Sequence, residues 1–189
     1  MILKHNYVDK GFTLVELMMT LSVGAILLTV AVPSFVSMTK NNKVTSHINY
    51  LVSQIHFARV EASKRHTRVI LCRSANPTAS SPTCGGTSNT WSTGWLVFAL
   101  GDTTSRSSPY LYDHNKDTLL VIGEGRDGVI IKSNGNADNN LEFNYDGSTA
   151  ESGTAYLAFC DDRGVEYGKT IEIKTTGRAE VISATTCTP

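Results

Sequence analysis

The chain has 189 residues, with seventeen basic side chains balanced by seventeen acidic ones. That length provides one domain plus a membrane segment, and the charge balance excludes a strongly basic nucleic-acid binder, leaving only a local patch for such a role. Four cysteines lie beyond an apolar N-terminal run, and Gly, Ser, Thr and Asn are abundant after residue 74, which points to short strands joined by many turns rather than a helical bundle.

The first element is the run of apolar or small residues from Leu17 to Phe35, with Thr20, Ser22, Gly24 and Thr29 as mild exceptions. Nineteen helical residues at ~1.5 Å each cover roughly 28 Å, about a hydrocarbon core. Lys4 and Lys10 would serve as the positive region of a secretory signal peptide. The run is long for that purpose, however, and Ala31-Val32-Pro33-Ser34 continues into helix-like sequence without a clean small-x-small cleavage site. A plain signal anchor fits the length but leaves Glu16 unexplained, because a carboxylate at the edge of hydrocarbon needs a partner. A cut between Gly11 and Phe12 would supply one. The new α-amino group would stand four residues before Glu16, and in an assembly the Glu16 of one subunit could meet the amine of its neighbour.

Gly11-Phe12-Thr13-Leu14-Val15-Glu16-Leu17, preceded by a short basic leader and followed by about twenty apolar residues, resembles the class III signal of type IV pilins and pseudopilins. The resemblance implies that a prepilin peptidase cuts after Gly11 on the cytoplasmic face and methylates Phe12, and that Glu16 guides subunit docking. The corresponding division of the chain is a cleaved leader over 1–11, a transmembrane and filament-core helix over 12–36, and a head over 37–189. Pro33 predicts a kink or local unwinding in that helix, and Gly24 weakens it further. Such loosened segments are what the resemblance implies for helices that repack between bilayer and fibre.

Past Ser34 the helix becomes amphipathic. Ile48, Leu51, Ile55, Ala58 and Ala62 recur at spacings of three and four, with Lys40, Lys43, Arg59, Glu61 and Lys64 on other faces. One long helix is expected over 14–66, its second half packing on a sheet. His47, His56 and His66 read as surface or boundary residues; His56 and His66 do not return to one face at ligand distance.

Strands are expected over 67–73, 94–100, 118–123, 129–133, 141–145, 155–160, 170–174 and 178–182. Asn134-Gly135-Asn136, Asp146-Gly147, Asp161-Asp162-Arg163-Gly164 and Thr176-Gly177 supply the turns. The last four strands read as two successive hairpins. A long helix followed by antiparallel strands is an α+β fold. The order of Ala58-Arg59-Val60-Glu61-Ala62-Ser63-Lys64-Arg65, Val69-Ile70-Leu71-Cys72, Trp91-x-x-Gly94-Trp95-Leu96-Val97-Phe98 and the terminal Gly177-Arg178 resembles the GspH/FimT-type minor pilins and pseudopilins, FimU-like minor pilins included, over essentially the full length. That resemblance implies a type IV pilin-like fold.

Cys72, Cys84, Cys160 and Cys187 fall on what would be the oxidising, periplasmic side. Of the three connectivities four cysteines permit, we expect Cys72–Cys84, closing the 76–82 loop, and Cys160–Cys187, pinning the C-terminal tail to the strand ending at Cys160. The spacing does not fit a zinc site, and no electropositive, base-paired setting marks a catalytic thiol.

No catalytic, metal or cofactor site emerges elsewhere. Asp161-Asp162 beside Arg163-Gly164 reads as a turn rather than a pair of catalytic acids, and Asp113-His114-Asn115-Lys116-Asp117 as a solvated loop. Residues 134–140 carry one acid, Asp138, too few for a calcium loop. Gly123-x-Gly125 lacks the following helix of a nucleotide fingerprint. Trp91 and Trp95 read as core anchors rather than ligand-stacking residues.

DNA is the rival partner. Lys64, Arg65, Arg68 and Arg73 cluster at the helix–strand junction, and Lys169, Lys174 and Arg178 lie near the C-terminus; of these Lys64, Arg65, Arg68, Lys174 and Arg178 are the candidate phosphate contacts. Some FimT-type relatives bind DNA through a C-terminal Gly-Arg-x-Arg element, which here reads Gly177-Arg178-Ala179-Glu180, a carboxylate replacing the second arginine. Removing residues 1–11 takes away Lys4, Lys10 and Asp9 and leaves fifteen basic and sixteen acidic side chains.

The expectation is therefore a non-enzymatic minor pilin acting in type IV pilus biogenesis, in a priming or tip complex. Its partners would be other minor and major pilins or pseudopilins, the prepilin peptidase and the inner membrane. It would start as a single-pass inner-membrane protein with a periplasmic head and pass into the pilus or pseudopilus. A type II secretion pseudopilus subunit and a DNA-binding minor pilin for natural transformation are the alternatives.

Overall fold

The computed structural model describes residues 11–86, 91–101, 111–184 and 186–187. Leader residues 1–10, with Lys4, Asp9 and Lys10, lie outside it. The structure divides into two units after Lys40.

One helix, α1 (Leu14–Arg65), runs through both. It starts at Thr13, whose Oγ1 accepts the Glu16 N–H at 3.2 Å, satisfying one of the donors a helix N-terminus leaves orphaned. It ends at His66, the one described non-glycine residue with positive φ (51°), after which the Thr67 N–H returns to the Ala62 carbonyl at 3.3 Å. That is a Schellman closure with histidine in the left-handed position glycine usually takes.

In the first unit α1 is long and apolar enough to cross a membrane, and none of its residues there is buried. Thr20, Ser22 and Thr29 each donate their hydroxyl to a carbonyl three or four residues earlier, so these three hydroxyls are satisfied within the helix. The helix is continuous through Gly24 and Pro33; the local unwinding allowed for at Pro33 is absent in this conformation.

In the second unit Val44, Ile48, Leu51, Ile55, Ala58 and Ala62 form the buried stripe of α1. It packs on eight strands: β1 (Val69–Arg73), β2 (Gly94–Ala99), β3 (Thr118–Glu124), β4 (Ile130–Gly135), β5 (Asn140–Phe143), β6 (Ala155–Cys160), β7 (Lys169–Ile173) and β8 (Ala179–Ser183). They make two antiparallel sheets, ordered β3-β2-β1-β5 and β4-β6-β7-β8. The α+β architecture is the one expected.

The two sheets and the helix share one core. Leu71, Val97, Leu141 and Phe143 come from the first sheet; Ile131, Leu157, Phe159, Ile171 and Ile173 come from the second. β1 and β2 are buried on both faces, because Ile70, Cys72, Leu96, Phe98 and Leu100 form a second cluster on the far side with Cys84, Tyr112 and Leu119. This is why both strands read as unbroken apolar runs rather than alternating ones.

Three expectations need correction. β7 and β8 are a hairpin, closed by the Lys174 N–H to the Arg178 carbonyl at 2.9 Å, but β5 does not pair with β6. It pairs with β1, Leu71 opposite Leu141, and the residues after Phe143 carry the chain to the other sheet. His47 is not at the surface: it is fully buried. Glu61 is buried as well, under Lys64 and Arg65, rather than on an open face.

Candidate functional site

Gly11, Phe12 and Thr13 precede the helix, and Phe12 is 86% exposed. The Gly11–Phe12 bond is therefore an open, non-helical peptide immediately before a capped helix. Glu16 is exposed in the first turn, where a carboxylate is favoured by the helix dipole. It makes no ion pair among the described residues. Around and beyond it Leu14, Val15, Leu17, Met18, Leu21, Ile26, Val30 and Phe35 are all exposed. A soluble domain does not present such a surface to water without something to cover it.

The cysteines form Cys72–Cys84 and Cys160–Cys187, with Cα atoms 5.6 and 5.8 Å apart. The first ties β1 to the loop that flanks the second apolar cluster. The second ties the end of β6 to the chain after β8. Gly168 makes room for it: a Cβ there would lie 2.7 Å from the Cys187 Sγ.

All five candidate DNA contacts face carboxylates. Lys64 and Arg65 converge on Glu61 at 3.3 and 2.5 Å. Arg68 pairs with the buried Glu142 at 2.5 Å. Lys174 and Arg178 both reach Glu180 at 3.0 Å. The hydrogen bond from Arg65 holds Glu61 below the ordinary carboxylate range, with Lys64 adding to it, and the bond from Lys174 does the same for Glu180. Arg73 is turned inward onto the Asn139 side chain, which accepts from its Nη2 at 2.7 Å.

The other polar motifs hold the fold together. Arg163 donates to Asp161 at 2.5 Å and lies over the Tyr167 ring, building the β6–β7 turn. The Asp117 carboxylate accepts from the Gly101 and Asp113 N–H groups. Gly123 and Gly125 are glycines for space: a Cβ would fall 2.1 Å from the Trp95 indole and 1.5 Å from the Ser92 carbonyl oxygen. Both tryptophans are fully buried. Trp91 donates its Nε1–H to the Ala137 carbonyl at 3.0 Å, and Trp95 packs against Tyr50 and His47.

A membrane-length helix with a capped start, laid by its second half on antiparallel, disulfide-closed sheets, defines a protein of the type IV pilin class. Comparison with known proteins narrows this. Residues 47–177 match the model of the type II transport protein GspH, and residues 8–32 match the prokaryotic N-terminal methylation motif. The chain belongs to the GspH family, the GspH/FimT-type minor pilins and pseudopilins. Two crystal forms of the type IV minor pilin FimU of Pseudomonas aeruginosa share its fold, each with a TM-score of 0.55. They are 16% and 17% identical, covering 76% and 80% of this chain and 99% of theirs. No curated protein matches.

His47 is the residue that sequence reasoning misplaced. The signal was present: it stands three residues after Val44 and four before Leu51, within the buried stripe. Its ring stacks on Trp95 (centroids 5.7 Å apart) and meets Phe159 edge-on at 5.8 Å.

Proposed function

We propose that the chain is a structural minor pilin of type IV pilus biogenesis, processed after Gly11, methylated on Phe12 and docked through Glu16 in a priming or tip complex. The observation that carries this reading is the coincidence of the methylation motif with an exposed apolar helix whose first-turn carboxylate makes no ion pair among the described residues. Before assembly, residues 12–36 span the inner membrane once and the head stands in the periplasm. On assembly the same helix enters the filament core, its repacking eased by a bend at Pro33. Residues 1–11 are the leader. Glu16 then accepts a charge-assisted hydrogen bond from the Phe12 amine of a neighbouring subunit, in surroundings where low dielectric strengthens it.

Incorporation of a Glu16→Ala chain into sheared filaments tests the docking role. The expected result is loss of the subunit from filaments with normal membrane levels; wild-type incorporation would overturn it. The description of the matched family as a type II transport protein supports a second reading, a subunit of a type II secretion pseudopilus. Co-purification with pilus or with secretion-system subunits separates the two.

A further inference from the structure

His47 occupies the joint between α1 and both sheets. Trp95 belongs to the first sheet and Phe159 to the second, and the imidazole touches both rings. It is fully buried, yet among the described residues neither Nδ1 nor Nε2 has a hydrogen-bond partner, and the Nε1 of Trp95 beside it has none either. A neutral imidazole brings one donor and one acceptor. Leaving both unmet is a cost that a phenylalanine in the same place would avoid. What phenylalanine would not supply is a proton-binding site.

The surroundings oppose that proton. Burial is the larger cause, and the two charges that act on the ring are both positive: Arg126, on the loop between β3 and β4, and Lys43, one turn earlier on α1. The Lys43 Nζ lies over the same loop, 3.6 Å from where a Cβ on Gly128 would stand. From β2 and β6 the ring meets the uncharged aromatic rings of Trp95 and Phe159. Together these hold the imidazole pKa down from 6.5 to about 4.

We propose that His47 is an acid-sensitive latch between α1 and the head: as a neutral ring it clamps the helix to both sheets, and on protonation it releases that joint. The direction follows from linkage. An unfolded or released chain takes up the His47 proton near pH 6.5, while the clamped one resists it down to about 4. The clamped state is therefore at full strength above pH 6.5 and weakens as pH falls between 6.5 and 4. The docking of α1 becomes a function of the acidity around the head.

The test is urea unfolding of the full chain in detergent micelles at pH 7.5 and 4.5, for wild type and His47→Phe, followed by tryptophan fluorescence. The wild-type unfolding constant should rise relative to that of His47→Phe by roughly fifty- to a hundredfold between the two pH values. Parallel changes in the two proteins would overturn the latch. If His47→Phe does not fold, the wild-type His47 ring resonances decide: His47 should keep its neutral shift down to pH 5, and a midpoint near 6.5 would overturn the proposal.

Discussion

The Arg59 Nε donates to the Gly147 carbonyl at 3.0 Å, and the same guanidinium arm lies against Gly177. One side chain on α1 thus fastens the turn after β5 and the β7–β8 turn, which belong to different sheets. Gly177 has φ +74°, and a Cβ there would stand 2.1 Å from the Gly147 oxygen. The glycine of the terminal Gly177-Arg178 is required by this three-way contact. Gly177→Ala should cost about 2–3 kcal/mol, combining left-handed strain with a backbone clash. Arg59→Met, which keeps the stem and loses the charged hydrogen bond, should cost about 1.5–3 kcal/mol. Urea midpoints of the full chain in micelles measure both.

Each disulfide should stabilise by an amount that grows slowly, with the logarithm of the loop it closes. The loops span 12 and 27 residues, so the chain-entropy relation gives about 3 and about 3.5 kcal/mol. Replacing Cys160 and Cys187 by serine should lower the unfolding midpoint at least as far as replacing Cys72 and Cys84. The second pair should in addition free the C-terminal tail to proteolysis, read by limited digestion.

Arg68 balances a carboxylate that has almost no exposure, Glu142. Arg68→Met should cost about 3 kcal/mol by stranding that charge. Glu151 is held above the usual carboxylate range, first by burial and then by Glu142. A raised folded-state pKa favours the folded chain below the unfolded value near 4.5 and is lost as pH rises through the folded one. Glu151→Gln should therefore raise the melting temperature at pH 7, and the gain should vanish below about pH 4.5.

The five candidate phosphate contacts are tied to three carboxylates, Glu61, Glu142 and Glu180. Wild type should give no gel shift with duplex DNA at physiological salt. Glu180→Arg removes the acid that holds Lys174 and Arg178 and completes a Gly-Arg-Ala-Arg element. It should produce a shift that weakens steeply with salt. A shift by wild type would restore the DNA reading.

Local order is legible in the sequence. Periodicity predicts a helix over 14–66 and α1 runs Leu14–Arg65, and each expected strand exists within a few residues of its place. Periodicity and turn residues report local conformation, so they serve well here. They do not name partners: β5 looks like the first arm of a hairpin, yet its edge is completed by β1, about seventy residues earlier. The burial of Glu61 escapes for a related reason: a charged residue beside an apolar stripe gives no sign of its burial until the facing elements are known. His47 differs, because its spacing from Val44 and Leu51 already places it in the stripe. The head's contribution to function is the least legible part, because its polar motifs resolve into turns, caps and ion pairs rather than a cleft with convergent groups.

What happens at Gly11 and Phe12 decides whether this chain is a processed pilin. Intact-mass and N-terminal peptide analysis of the chain, purified from membranes of a host with an active prepilin peptidase, tests it most directly. The mature chain should begin at Phe12, carry one methyl group on its α-amine and lack residues 1–11. A chain still carrying the leader, or one cut after the apolar run by signal peptidase, would contradict it.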